Sequence, residues 1–156
     1  MIRLARPQDA PFIRELASSS ILSSLPPSRS VDPEQAAAYV RSAYDDLEEV
    51  LRTDRNLLLL IAEDEARQPI GYLMVELDHV EPSTGEKQAF IVDLAVVPDR
   101  RGRFSTNKLV RKACQLCRAR GLKYLVGMVS VNNQRTLDLS RHLDFEVERV
   151  QIVRRL

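Results

Sequence analysis

A continuous apolar run of strand length, residues 56–62 (NLLLLIA), narrows most sharply what this chain can fold into, and residues 89–97 (AFIVDLAVV) are its most strand-prone stretch. A strand apolar on both faces must be covered on both faces, which places it inside a layered arrangement of strands and helices. The covering segments have helical spacing. Residues 10–22 put Phe12, Ile13 and Leu16 on one side. A second helix opens with Asp32 as N-cap and Pro33 in its first turn, and carries Ala36, Tyr39, Val40, Ala43, Leu47 and Val50 as its apolar positions. On that helix Tyr39 is expected in the core and Tyr44 on the surface. Residues 105–120 form a third helix, stopped by Gly121, and residues 133–142 a fourth. Further strands are expected over 2–6, 70–80, 124–131 (with Tyr124 as packing) and 145–153, the last from the FEVERVQIV pattern. The resulting order is βααβββαβαβ. At 156 residues and 44% apolar side chains, the chain suits a single domain over 1–156.

Charge is segregated along the chain. Residues 32–65 hold ten carboxylates and three arginines, whereas residues 100–123 hold nine Lys or Arg and no carboxylate. The totals, 23 basic against 22 acidic, leave a formal charge of +1 and exclude a histone-like or polyanionic chain. The basic block starts in a loop before a helix, a place that suits an anionic ligand, although a solvated helix face reads the same way. Apart from Phe104 it has no interleaved aromatics, which points away from nucleic acid. No apolar run approaches the roughly 20 residues that cross a bilayer, and the first residues lack the apolar core of a secretion signal. A cytoplasmic protein without a membrane partner is therefore expected. Cys114 and Cys117 are too few for a disulfide framework and read as reduced side chains on a helix face, so no metal site is expected.

Three segments carry a resemblance. The element order is one; the segment Val96-Val97-Pro98-Asp99-Arg100-Arg101-Gly102-Arg103 is the second; and Val131-Asn132-Asn133, followed by Leu139 and Leu143-Asp144-Phe145, is the third. Together they resemble the GNAT superfamily of acyl-CoA-dependent N-acyltransferases along the whole chain. The resemblance implies an α/β (α+β) fold with a central mixed, mostly antiparallel sheet flanked by helices. It implies acetyl-CoA as cofactor and a small-molecule or peptide amine as acceptor, attacked directly in a ternary complex. The family often dimerises, and the strand at 145–153 is the expected pairing edge. By the same resemblance, the backbone of Leu94, Ala95 and Val96 would engage pantetheine, and Asn133 would contact the cofactor. The pyrophosphate loop would comprise Arg101, Gly102, Arg103, Phe104, Ser105 and Thr106. The family pattern is Arg/Gln-x-x-Gly-x-Gly/Ala, so Phe104 stands at the first glycine and Thr106 at the small residue. Glycine lets backbone approach phosphate closely; Ser105 and Thr106 offer hydroxyl donors instead, or cap the helix.

The reaction needs a proton acceptor for the amine and a proton source for the leaving thiolate. Members often carry Glu-Asp within the fourth strand; here the pair is Val92-Asp93. Asp93 sits inside an apolar strand, where an unpartnered carboxylate is costly, so it is either the base or a hydrogen-bonded structural group. Glu76 and Asp78, on the preceding strand, are the other base candidates. Where many members place an acidic tyrosine on the fourth helix, this chain has Ser140. The departures at Phe104, Thr106, Val92 and Ser140 also admit a second reading, a GNAT-shaped module that binds CoA or a protein and catalyses weakly.

Overall fold

The computed structural model describes residues 1–100 and 103–156, with side chains for all of these except Arg100, Arg103 and Phe104. Its strands are β1 (Ile2–Leu4), β2 (Leu57–Glu63), β3 (Pro69–Val80), β4 (Lys87–Val96) and β5 (Leu125–Gly127). Its helices are α1 (Ala10–Ser20), α2 (Pro33–Ala43), α3 (Leu47–Thr53), α4 (Arg103–Ala119) and α5 (Gln134–His142). The strands form one sheet in the order β1-β2-β3-β4-β5, antiparallel except for the parallel β4–β5 pair.

Each face of the sheet buries its own apolar layer. Leu58, Leu60, Leu73, Val75 and Ala89 pack with Leu109, Val110, Ala113 and Cys117 of α4. Leu59, Ile61, Tyr72, Met74 and Ala95 pack with Ile13, Leu16 and Ala17 of α1 and Leu47 of α3. The apolar run of β2 is thus covered on both sides, as its composition requires. Beneath α1, Arg3 donates to both carboxylate oxygens of Asp9 at 2.7 and 2.8 Å and to Glu63 at 2.6 Å, tying β1 to the helix entrance and to β2. Gly71 lies so close to β4 that a Cβ there would sit 2.8 Å from the Ala95 carbonyl oxygen, so glycine is needed for the strands to converge.

Three expectations are corrected. The second helix does not run through to Val50: it stops at Ala43, turns through Tyr44, Asp45 and Asp46, and resumes as α3. Two consecutive aspartates favour local turns over a helix interior, which accounts for the break. The strand expected over 124–131 is only three residues long, and Tyr124 precedes it with 54% of its surface exposed. Residues 145–153 form no strand within this chain. The apolar positions there change phase, from Phe145 and Val147 to Val150 and Ile152, so no single face could be buried. Arg149, at the phase change, is instead bound to the Glu81 carboxylate and to Ser83 Oγ.

The turn Leu143-Asp144-Phe145 ends α5. Asp144 takes a left-handed φ of 61°. Its N–H donates to the Arg141 carbonyl (3.2 Å) and the Phe145 N–H to the Ser140 carbonyl (3.0 Å), which is the Schellman pattern.

Candidate active site

Strand β4 is where the sheet opens. It pairs with β5 only at Ala89, Phe90 and Ile91, opposite Leu125, Val126 and Gly127. Beyond Ile91 it continues to Val96 with β3 as its one ladder partner among the described residues. The Val97 N–H donates to the Ile70 carbonyl on the β3 side, so by alternation the N–H groups of Leu94 and Val96 point toward the opening.

A bulge sits at the head of this opening. Asp93 pairs with Met74 and Ile91 with Val75, leaving Val92 as an extra residue, half exposed. The bulge turns Asp93 onto the α1 face. Tyr72, paired with Ala95, becomes its diagonal cross-strand neighbour, within reach of an aromatic side chain. Tyr72 Oη donates to Asp93 Oδ2, and Tyr44 Oη donates to the same oxygen at 2.7 Å. Asp93 Oδ1 accepts the Leu94 N–H at 2.8 Å. Burial, and then the charge of Asp93, pushes both tyrosine hydroxyls above the ordinary tyrosine range, so both stay protonated donors.

Tyr44 reaches this position because of the helix break described above. It follows Ala36 and Val40 on one stripe of α2, four residues apart each time. Arg14 of α1 pins the turn through Asp45 at 2.6 Å. The expectations for the two tyrosines of this region are therefore reversed: Tyr39 is 76% exposed, and Tyr44 is the partly buried one that joins the site. Tyr72 was legible only as a core side chain, since nothing in its own strand shows which β4 residue lies diagonally across. Tyr44 did carry a signal, its spacing on the apolar stripe of α2.

The remaining site candidates are distributed as follows. Glu76 lies farther along β3, half exposed, with its carboxylate 3.4 Å from His79 Nδ1; it is not among the groups bonded to Asp93. The His79 ring stacks on Phe90 at 4.7 Å. Ser140 Oγ donates to the Thr136 carbonyl of its own helix at 2.8 Å. Asn133 caps α5, its Oδ1 accepting the Thr136 N–H at 3.2 Å. Ala95 and Val96 are buried in the two apolar layers, while Leu94 is bonded to Asp93. Ser105 and Thr106 lie half-buried in the first turn of α4. Arg101 and Gly102 lie outside the described residues, as do the side chains of Arg103 and Phe104. Cys117 is buried against α4's apolar layer, its thiol pushed up by burial, and Cys114 is half-buried beside it.

The loop between α1 and α2 crosses to the far side of the opening. Ser130 Oγ donates to the Ser24 carbonyl, and Asn132 Nδ2 donates to the Leu25 carbonyl at 3.2 Å. The chain leaving β5 and the chain entering α2 are thereby fastened together beside the opening.

Comparison with known proteins agrees with this fold. Among solved structures, the chain is similar to a ribosomal-protein-alanine N-acetyltransferase from Brucella melitensis biovar Abortus 2308 (20% identity, TM-score 0.68, covering 100% of this chain and 99% of that one). It is also similar to an aminoglycoside 6'-N-acetyltransferase from Acinetobacter baumannii (18% identity, TM-score 0.68, covering 100% and 97%). A mutant of the BH1408 protein from Bacillus halodurans matches with 18% identity and a TM-score of 0.73, covering 100% and 99%. At these identities the likeness establishes the fold. No curated protein sequence matches the chain significantly. The model of the acetyltransferase (GNAT) family matches residues 20–145, most of the chain and all of the site. The chain belongs to the GNAT acetyltransferase family.

Proposed function

We propose that this chain binds acetyl-CoA along the opening between β4 and β5 and passes the acetyl group to a primary amine held at Asp93. The observation that carries the reading is the coincidence of the two features: the sheet parts directly after Ile91, and a carboxylate fixed by three donors stands at that point. The chain's groups fit such a ligand. The opening presents a strand edge to pantetheine, and Ser105 and Thr106 stand in the first turn of a helix whose following residues include Lys108, Arg111 and Lys112. We assign Arg101, Gly102, Arg103 and Phe104 to the phosphate loop and Asn133 to the cofactor contacts.

Acetyl-CoA supplies an activated thioester; the protein's part is placement and proton handling. Tyr44 and Tyr72 occupy Asp93 Oδ2, and Oδ1 accepts one N–H, which leaves one accepting direction on Oδ1 for an incoming amine. An ordinary carboxylate is a poor base toward a free alkylammonium ion. Once nitrogen has bonded to the acyl carbon its proton is far more acidic, and a carboxylate suffices to take it. The C–N bond forms, the C–S bond breaks, Asp93 takes the amine proton, and the thiolate gains one from solvent. Because Ser140 Oγ is bonded to its own helix, solvent rather than Ser140 fills the acid's role.

A second reading has its own support. The Leu94 N–H points toward the opening but is held by Asp93, so it offers nothing to a developing oxyanion in this arrangement. A CoA-binding module with slow turnover would look the same. Calorimetric titration with acetyl-CoA and CoA, followed by thiol-release assays with amines, separates the readings. Saturable one-site binding with acetyl-CoA-dependent thiol release is the expected result. Binding without release supports the module, and no binding overturns both.

A further inference from the structure

We infer that the acceptor is a short aliphatic diamine, one nitrogen reacting at Asp93 and the other, as ammonium, held by Glu76 beside the Phe90 ring; this rests on the acetyl-transfer reading above. Tyr72 and Met74 lie in the apolar layer on the α1 side of the sheet, and alternation along β3 puts Glu76 on that side too. Met74 is paired with Asp93 and Glu76 with Phe90. The four residues thus make two successive cross-strand pairs on one face, separated on β4 by the Val92 bulge. Beyond the bulge the side chains converge. Glu76 Oε2 is 3.4 Å from His79 Nδ1, and the His79 ring stacks on Phe90 with centroids 4.7 Å apart. Val92 is 48% exposed, and Glu76, His79 and Phe90 are each only partly buried, so this stretch of the face is open beside Asp93.

The stretch lies on the other side of the bulge from Leu94, Ala95 and Val96, the strand edge proposed for pantetheine. A molecule lying on it reaches Asp93 without crossing the cofactor's path. Charge and spacing select that molecule. Asp93 and Glu76 are one strand spacing apart across the ladder and two residues apart along it, which separates their Cα atoms by roughly 8 Å. A chain of about four to six carbons between two nitrogens, with bonds of ~1.5 Å in zigzag, covers that span. Among the described residues Glu76 has His79 as its one polar partner, on Oε2, which leaves Oε1 to accept from an ammonium group. Phe90, fixed by the stack, offers its ring to the same cation. A monoamine of equal length leaves Glu76 without this partner, and an acceptor ending in a carboxylate meets like charge there.

The test uses the full chain with acetyl-CoA and reads thiol release for 1,5-diaminopentane against pentylamine. kcat/KM for the diamine should exceed that for the monoamine about tenfold, the usual worth of one charge-assisted hydrogen bond. Glu76→Gln, a change at a half-exposed side chain, should bring that ratio to within about twofold of one, the allowance for two equivalent nitrogens. Phe90→Leu should lower it about two- to fivefold. Glu49→Gln, which removes an exposed carboxylate of α3, should leave the ratio as it is and so separates contact with Glu76 from the general field. Because the quantity is a ratio between two acceptors on one protein, any loss of folded protein cancels from it. A diamine no better than pentylamine, a ratio kept in Glu76→Gln, or one lost equally in Glu49→Gln overturns the inference, while thiol release itself sustains acetyl transfer. If acetyl-CoA binds without thiol release, calorimetric affinities of the two amines for the CoA complex give the same ratio, with the same outcomes for and against. Failure of acetyl-CoA and CoA to bind, with no thiol released from either amine, overturns the acetyl-transfer reading and this inference with it.

Discussion

Asp93 shows how one side chain can satisfy two demands. Within an apolar strand it needs donors, and it has them from Tyr44, Tyr72 and the Leu94 N–H. The same donors fix the carboxylate in orientation and leave one direction open. At the sequence level the two possibilities for Asp93, base or bonded structural group, stood as alternatives; the geometry shows the bonding and is compatible with both roles. Elsewhere, a purely structural carboxylate provides a contrast. Burial alone would raise the pKa of Asp9, but its bonds from Arg3 and from the Arg6 N–H outweigh burial and hold it below the ordinary carboxylate range. A group whose folded-state value lies below its unfolded value contributes stability above the unfolded value and loses it as pH falls through the folded one. Asp9→Asn should therefore cost about 3 kcal/mol at neutral pH, as expected for breaking a buried pair. The mutant's stability should also change less than the wild type's below about pH 3.8, the ordinary value of the group. Urea unfolding at a series of pH values reads both effects.

The elements were legible wherever one residue pattern dictated one environment. The run at 56–62 was recognisable as a doubly covered strand because every residue after Asn56 is apolar, and 89–97 as a strand from its β-prone residues. The helix signals at Asp32 and Gly121 were equally plain: Asp32 Oδ1 accepts the Glu34 N–H at 2.8 Å, and Gly121 takes φ of 78°. Misreadings arose where two signals competed. Helical spacing from Ala36 to Val50 concealed the turn that the two aspartates impose, and with it the inward placement of Tyr44. The alternation in FEVERVQIV concealed a change of phase at Glu148 and Arg149. Leu143-Asp144-Phe145 shows the opposite case, a departure from the family's Leu-Gly-Phe that the backbone tolerates. Asp is among the few non-glycine residues that visit the left-handed region, at a cost. Asp144→Gly should raise stability by up to about 1 kcal/mol. A thermal melt with no change, or a decrease, would mean that the Asp144 side chain contributes more to this turn than its backbone costs.

At the scale of the whole molecule, the family and the layered fold could be anticipated because they depend on the order of elements and a few turn residues. The site was only half legible, because its partners come together from β3, β4 and the α2–α3 turn, and the sequence does not state the bulge that joins them. Ser140 and Glu76, read beside Asp93 in the sequence, have other bonding partners, the Thr136 carbonyl and His79. The most direct test of acetyl transfer at Asp93 is a steady-state comparison of the wild type with Asp93→Asn, together with calorimetric CoA affinity and a thermal melt of each protein. The variant should lose roughly 10²- to 10⁴-fold in kcat, the usual worth of a positioned general base, with CoA affinity within about twofold. A folded variant whose kcat stays within about threefold of the wild type would contradict the account and leave Asp93 as a structural clamp for its two tyrosines.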